Sequence, residues 1–358
     1  MGCCEATNPA LDDLASSAAA AAPSDRRTAL KGLAALAGGL TLAACARGGD
    51  RGPRLRLAFC GQLLCVVPYE VTRARGHFAA QGLDVELVYT RGGNAAMQAL
   101  VGGSVDYAGT SFDVALQAAA NGAAIRRFAS TGRLPLFALA TSPATSGAIR
   151  RVADLDGRTV AISGLGNADH ALLLFLLDRA GVAAAGVRFA TIGTNVFDAL
   201  RIGQVDAAML QEPALTLIVE AGGRELVNLM DIDEAERHLG GPYEFMGVAV
   251  RVAERDQRLP EMRRLAAALE AGLRDTRTIA VDEIVGALPT ALVAGSDAGQ
   301  LRAIVGRYRL SLYPERVTVD LESARRVQRS QEIAGILEAG RVDLRVVIDA
   351  IALDPTPA

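Results

Sequence analysis

Four short segments of this chain carry residues able to hold a small polar molecule. Thr110 and Ser111, following Gly109, offer two hydroxyls beside an expected helix start, although Ser111 can equally serve only as an N-cap. Ser163-Gly164-Leu165-Gly166-Asn167 is a glycine-containing loop leading to His170 at the next helix start, and it does not complete the G-x-G-x-x-G spacing of dinucleotide loops. His170 either faces a cleft or is a partly exposed structural histidine. Glu212, ahead of Pro213, either accepts hydrogen bonds from a ligand or caps an interface. Gly61 and Gln62, with Tyr69 nearby, make the fourth segment, and Gly92-Gly93-Asn94 permits close backbone approach or is a plain turn. Helix starts leave backbone N–H groups unpaired and carry the positive end of the helix dipole, so such loops favour an anionic or strongly polar group. Covalent chemistry finds little support. Lys31 is the only lysine, His77, His170 and His238 are scattered without metal-ligand spacing, and no Ser/His/Asp arrangement is evident from spacing. No catalytic residue, cofactor or metal is therefore assigned, and the chemistry expected is reversible binding.

The elements that must position these loops alternate between strand and helix. Strands are expected at 55–59, 85–89, 105–108, 159–162, 187–190, 205–209 and 245–250. Helices are expected from Pro68, read as a first helical position, at 94–101, after Ser111 as far as Asn121-Gly122, and at 169–180, 196–202 and 213–221. The pattern from Pro260 onward is mostly helical. Such alternation implies an α/β fold with mainly parallel sheet covered on both faces, and ligands of such sheets sit beyond the carboxyl ends of the strands.

One internal correspondence bears on the architecture. Gly93, Ala99, Leu100, Gly103, Val105, Asp106 and Ala108 recur as Gly193, Ala199, Leu200, Gly203, Val205, Asp206 and Ala208, always 100 residues later. Each copy reads as a helix, a glycine stop and a short strand. Two similar α/β lobes would leave a cleft between them, a usual place for a ligand.

The 358 residues suffice for two domains, and 37 basic against 40 acidic residues give a net charge of -3 that argues against a nucleic-acid partner. Residues 1–24 read as disordered or as an overextended start. Arg26-Arg27 then precede an uncharged apolar stretch, 32–44, too short for a membrane span and of signal-peptide length, ending in Leu42-Ala43-Ala44-Cys45. This order resembles a Tat-type lipoprotein signal. That resemblance implies acylation of Cys45, a tether over 46–54, and a position in the periplasm or on the outer face of the cytoplasmic membrane. Cys60 and Cys65 are then the cysteines of the folded part, either joined as a disulfide in an oxidising compartment or left as two small buried thiols.

Segments 68–87, 92–122, 154–181 and 193–223, the last including Glu212-Pro213, resemble the periplasmic binding proteins of the sulfonate/nitrate type and their thiamin-pyrimidine-synthase-like relatives. The resemblance runs from about residue 55 to 337. It implies a type II periplasmic-binding-protein fold, with two α/β lobes, a central cleft and two hinge crossings near 136–146 and 240–250. Lobe 1 would comprise 55–138 plus 245–358, and lobe 2 would comprise 139–244. The implied function is that of a monomeric solute-binding lipoprotein serving an ABC permease with its ATPase. Its implied ligand residues are Gly61, Gln62, Tyr69, Gly93, Asn94, Thr110, Ser111, Ser163, Gly166, Asn167, His170 and Glu212. A sulfonate or nitrate would suit the helix starts, while Tyr69, Tyr89 and Phe112 leave room for a heterocycle such as a pyrimidine or flavin precursor. Two alternatives stay open at this point. One is an enzyme of the same fold in pyrimidine or menaquinone precursor biosynthesis; the other is a ligand-sensing lipoprotein without a transporter. A pyridoxal phosphate Schiff base needs a lysine, and none follows residue 31.

Overall fold

A computed structural model describes residues 54–294 and 296–353. The expected export signal, Cys45 and all but the last residue of the tether lie outside the described residues. In chain order the first elements are β1 (Leu55–Cys60), α1 (Leu63–Ala74), α2 (His77–Ala80), β2 (Val85–Thr90), α3 (Gly93–Val101), β3 (Tyr107–Ser111), α4 (Phe112–Ala120) and β4 (Ile125–Ser130). There follow β5 (Ala138–Thr141), β6 (Thr159–Ile162), α5 (Ala168–Arg179), β7 (Arg188–Thr191), α6 (Val196–Arg201), β8 (Ala207–Leu210), α7 (Ala214–Glu220), β9 (Glu225–Asn228), α8 (Ile232–Leu239) and β10 (Met246–Arg251). The remainder is helical: α9 (Arg255–Thr278), α10 (Val281–Ala287), α11 (Thr290–Val293), α12 (Ala298–Leu312), α13 (Leu321–Ile333), α14 (Leu344–Val347) and α15 (Ala350–Leu353).

The strands form two five-stranded sheets, ordered β2-β1-β3-β10-β4 and β7-β6-β8-β5-β9. Each sheet is mixed rather than all parallel, because β10 and β5 run antiparallel to both of their neighbours. β10 enters the first sheet from the opposite direction after the chain has built the second one. The chain thus passes between sheets twice, over 131–137 and 229–245, and these segments replace the expected crossings, whose spans overlap β5 and β10. Leu57, Phe59, Tyr107 and Val248 form part of the first core and Val160, Ala208 and Leu139 part of the second; all are at most 1% exposed. Large side chains so buried contribute about 1.5–3 kcal/mol each. The helices α12 and α13 lie against both lobes. α13 packs on α4 and α5, and the Asn228 amide donates to the Tyr308 hydroxyl at 2.8 Å.

The 100-residue correspondence has a structural cause. Gly103 and Gly203 both stop their helices at a left-handed φ, 75–77°, where a side chain would be strained. Asp106 and Asp206 then each turn a carboxylate onto the strand alongside. Asp106 accepts the Arg56 N–H at 2.7 Å and Asp206 accepts the Thr159 N–H at 2.8 Å. Because these residues are engaged in that contact, β3 and β8 begin at Tyr107 and Ala207, two residues later than expected. Thr110 and Ser111 accordingly end a strand rather than occupying a loop.

Two proline positions also differ from expectation. α1 begins at Leu63, so Pro68 sits inside the helix, and Pro260 likewise sits inside α9. A proline has no N–H for the carbonyl four residues earlier. In α1 that carbonyl, on Leu64, is satisfied instead by the Tyr313 hydroxyl at 2.8 Å.

Candidate functional site

A cavity of about 540 Å³ lies between the carboxyl ends of the parallel strands of the two sheets. Gln62, Tyr69, Gly93, Asn94, Thr110 and Ser111 line it from the first lobe. Ser163, Asn167 and Glu212 line it from the second. Gly61, Gly166 and His170 are not among the lining residues. The His170 ring accepts the Gly166 N–H at Nδ1 (3.1 Å) and packs edge-on against Phe189, an arrangement internal to the second lobe. Burial lowers its pKa. Tyr89 and Phe112 also miss the cavity. Tyr89 lies on edge strand β2 with its hydroxyl on Glu70, and Phe112 is buried beneath the Arg127 guanidinium.

The cavity is placed where helices begin. Gln62, Ser111 and Asn167 are the residues preceding α1, α4 and α5, and Gly93 opens α3. None of these four helices has a side-chain hydrogen bond at its N-cap. The helices α8, α12, α13 and α14 begin elsewhere, and each is capped by an aspartate: Asp231, Asp297, Asp320 and Asp343. Ser111 thus holds the expected N-cap position without making the expected bond. Capping side chains normally satisfy the orphan N–H groups of a first turn.

The donors have individual fates. Asp169 lies in the first turn of α5 and accepts from the Ser163 N–H and hydroxyl, at 2.5 and 2.8 Å, and burial raises its pKa. Glu212 folds back onto α7, accepting from the Thr216 N–H and hydroxyl at 3.0 Å each. Burial raises its pKa while those bonds act against the rise. Both carboxylates on the cavity wall are therefore occupied by protein donors. The Thr110 hydroxyl is buried and has no partner among the described residues. It lies so close to α3 that a Cβ on Gly93 would approach it to 2.5 Å, so a larger residue at the α3 start would force the Thr110 side chain to shift. Arg91 is the cationic side chain among the described lining residues.

Much of the remaining wall is apolar. Phe59 stacks on Tyr69 with centroids 4.4 Å apart, and the Tyr69 hydroxyl lies 3.2 Å from the Thr131 hydroxyl. Burial pushes the Tyr69 pKa up to about 12, so it remains a neutral phenol. Phe137 and Phe245, one from each crossing segment, meet edge to face at 6.1 Å and both line the cavity. Phe197 and Met209 complete the apolar wall from the second lobe. These crossing and wall residues carry no local motif, and only their spatial convergence marks them. Cys60 and Cys65 also line the cavity and are free thiols in this structure.

Two hydrogen bonds join the loop ahead of α5 to the first lobe. The Asn94 amide donates to the Asn167 carbonyl oxygen at 2.7 Å, and the Gln117 amide donates to the Gly166 carbonyl at 2.9 Å. Among the described residues no group of three or more His, Cys, Asp or Glu side chains could hold a metal ion, and no helix is long and apolar enough to cross a membrane.

Two five-stranded lobes, two crossings and an interlobe cavity define a periplasmic-binding-protein fold. The chain belongs to the NMT1/THI5-like family, which matches residues 66–273. A protein from Bordetella bronchiseptica RB50 superposes with a TM-score of 0.74 at 24% identity, over 84% of this chain and 95% of the other. The alkanesulfonate-binding protein SsuA from Xanthomonas axonopodis pv. citri, bound to MOPS, gives 0.61 at 21% identity, covering 82% and 97%. The periplasmic aliphatic sulphonate binding protein SsuA from Escherichia coli gives 0.60 at 19%, covering 82% and 91%. No curated protein matches the sequence.

Proposed function

We propose that this chain is the solute-binding component of an ABC importer. It captures a small organic molecule whose anionic group meets the α3 start and the Thr110 hydroxyl, and whose apolar or heteroaromatic body lies on Phe59, Tyr69 and the Phe137–Phe245 pair. The observation that carries this reading is the unpartnered, buried Thr110 hydroxyl beside an uncapped helix start, in a cavity whose two carboxylates are already occupied by protein donors. A buried hydroxyl without a partner costs stability, and an incoming acceptor would recover it. The two SsuA proteins, one of them bound to the sulfonate MOPS, support an anion of this kind.

Among the described residues lobe 1 is built on 55–130 and the segment from 246 onward and lobe 2 on 138–228, closing about the crossings at 131–137 and 229–245. Ligand favours the closed form by its differential affinity for the two states. The Arg26-Arg27 leader and Cys45 support export and lipid anchoring beside a permease. Replacing Cys45 with Ala then releases the protein into the soluble fraction; full membrane retention counts against the anchor. An enzyme with a lysine-bound cofactor is disfavoured by the lack of lysine after residue 31.

The test is a thermal-shift and calorimetric panel of alkanesulfonates, aryl sulfonates, MOPS, nitrate and pyrimidines, each organic anion paired with a neutral isostere. A ligand of the native state raises the melting temperature with concentration. The reading expects anions to bind and neutral isosteres to fail, and Thr110→Val to weaken binding about tenfold without loss of stability. Equal binding of the neutral isosteres would sink the anion assignment.

A further inference from the structure

A run of polar side chains leads from the loop ahead of α5 into the first lobe, and each link is a direct hydrogen bond. The Gln117 amide, besides donating to the Gly166 carbonyl, donates to the Gln331 side-chain oxygen at 2.9 Å. The Gln331 amide donates in turn to Asp113 Oδ1 at 2.7 Å, and the Tyr243 hydroxyl donates to the same oxygen at 3.0 Å. Ser330 Oγ ends the run, 2.7 Å from that hydroxyl. A carbonyl and a carboxylate only accept, so both glutamine amides have a single permitted orientation. Asp113 and Gln117 lie on α4, Ser330 and Gln331 on α13, and Tyr243 on the second crossing. The Tyr243 N–H donates to the Arg133 carbonyl of the first crossing at 2.8 Å. Asp113, Tyr243 and Gln331 are 0% exposed, so water cannot replace a lost partner without local opening. Gly166 directly precedes the cavity residue Asn167, whereas Gln331 lies beyond residues 66–273, which the family model matches.

We infer that Gln331 is a positioning residue for lobe closure: it holds the Gln117 amide on Gly166 and ties that contact, through Asp113, to Tyr243 in the crossing. Gly166 and Gln117 belong to different lobes, so opening of the cleft must break their bond. Gln331 keeps the Gln117 amide aimed at the place to which Gly166 returns, which reduces the side-chain freedom lost on closing. Asp113 fixes Gln331 and Tyr243 at one oxygen, so the closing contact and the crossing are braced against the same carboxylate. The inference rests on the reading of this chain as a binder that closes on its solute. Its test uses no ligand, so its failure is separable from failure of the binding assignment.

Amide hydrogen exchange over residues 163–171 of the full chain, without ligand, reads this contact, because its loss frees the loop. Gln117→Met, at a half-buried position, should speed exchange there about fivefold, and Gln331→Met should do the same. The double variant should be no faster than either single one, since both break one relay. Tyr243→Phe, which removes only the hydroxyl, should speed the same amides about twofold. Rescue separates contact from packing. Gln331→Glu alone sets two carboxylates against each other. Combined with Asp113→Asn it restores donor, acceptor and charge with their places exchanged, because the Tyr243 and Ser330 hydroxyls can turn and donate onward to the Val327 carbonyl, 2.8 Å from Ser330 Oγ. Exchange in that pair should return to within about twofold of wild type. Additive effects of Gln117→Met and Gln331→Met, or a folded exchanged pair that stays fast, would overturn the positioning role; if the exchanged pair does not fold, the Gln117–Gln331 cycle alone decides. Unchanged exchange in Tyr243→Phe would overturn the tie to the crossing.

Discussion

The two sheets share one plan and differ in what they bury. In both, the antiparallel strand pairs with the last strand through an extra residue at the same relative place. Phe128 is skipped between the Val248–Ala129 and Ala249–Arg127 pairs, and Leu226 between the Leu139–Val227 and Ala140–Glu225 pairs. The residue just beyond this bulge is Arg127 in lobe 1 and Glu225 in lobe 2. Arg127 is 0% exposed, donates to the Phe245 carbonyl at 3.0 Å, and shares its surroundings with Glu244, Asp113 and Tyr69. Glu225 is half-buried and faces Arg307 at 3.6 Å. Identical strand geometry therefore permits opposite electrostatic solutions. Lobe 1 encloses its charges directly behind the crossing residue Phe245, and lobe 2 leaves its charge at the surface.

The largest expected effect tests that enclosure. Arg127→Met strips the counter-charge from Glu244 and Asp113 and should cost about 3–5 kcal/mol of stability by denaturant titration. Glu225→Met, at the matching place, should cost under about 1 kcal/mol, as exposed pairs do. Equal costs would mean that the buried charge does not differentiate the lobes.

Titration gives the next test. Burial pushes Glu244 up to about 7 and Asp113 up to about 6, although Arg127 pulls both down. Their hydroxyl and amide neighbours are Ser130 for Glu244, and Tyr243 and Gln331 for Asp113. Unfolded carboxylates titrate near ~4. Between that value and the folded one the native state holds more protons. The stability these groups contribute is therefore complete below about pH 4 and is lost as pH rises to about 7, at up to about 1.4 kcal/mol per pH unit for each group. Relative to wild type, the double variant Asp113→Asn, Glu244→Gln should gain stability progressively over that window and then level off. A difference independent of pH would show that neither group titrates there.

The repeated aspartates offer a finer comparison. Besides its backbone bond, Asp106 meets the Arg258 guanidinium at 2.5 Å, whereas Arg158 stands 3.7 Å from Asp206. Asp106→Ala should cost about 1.5–3 kcal/mol and Asp206→Ala about 0.5–1.5 kcal/mol in the same titration. A reversal would break the equivalence of the two units. The smallest effect concerns contact between lobes. Asn94→Ala removes the bond to Asn167 and should weaken binding of the best sulfonate in the panel about two- to tenfold by calorimetry, with melting temperature unchanged. Unaltered affinity would show that closure does not depend on this bridge.

What the sequence revealed follows the same physics. The repeat was legible because left-handed glycines and strand-facing aspartates are demanding positions with few acceptable residues. The helix starts around the cavity were legible through Gly93, Ser111 and Asn167. β4 was not, because Ile-Arg-Arg-Phe-Ala-Ser shows no alternation when one of its arginines is buried. β5 was hidden by its Ala-rich composition, since Ala-Leu-Ala-Thr holds a single β-branched residue. Phe137 and Phe245 come from the crossing segments, whose convergence depends on how the two sheets are placed. The onset of α1 was obscured by Pro68, because the Tyr313 hydroxyl that compensates it comes from 245 residues further along the chain.

The place of β10 sets an order of assembly. Lobe 2 draws all its strands from one continuous stretch, β5 to β9, so its sheet can complete as soon as that stretch is available. In lobe 1, β3 and β4 are made early but never pair with each other; each waits for β10, more than a hundred residues downstream. Until then both present open hydrogen-bonding edges of the kind that recruit wrong partners. The lobe that begins first is thus the one that finishes last.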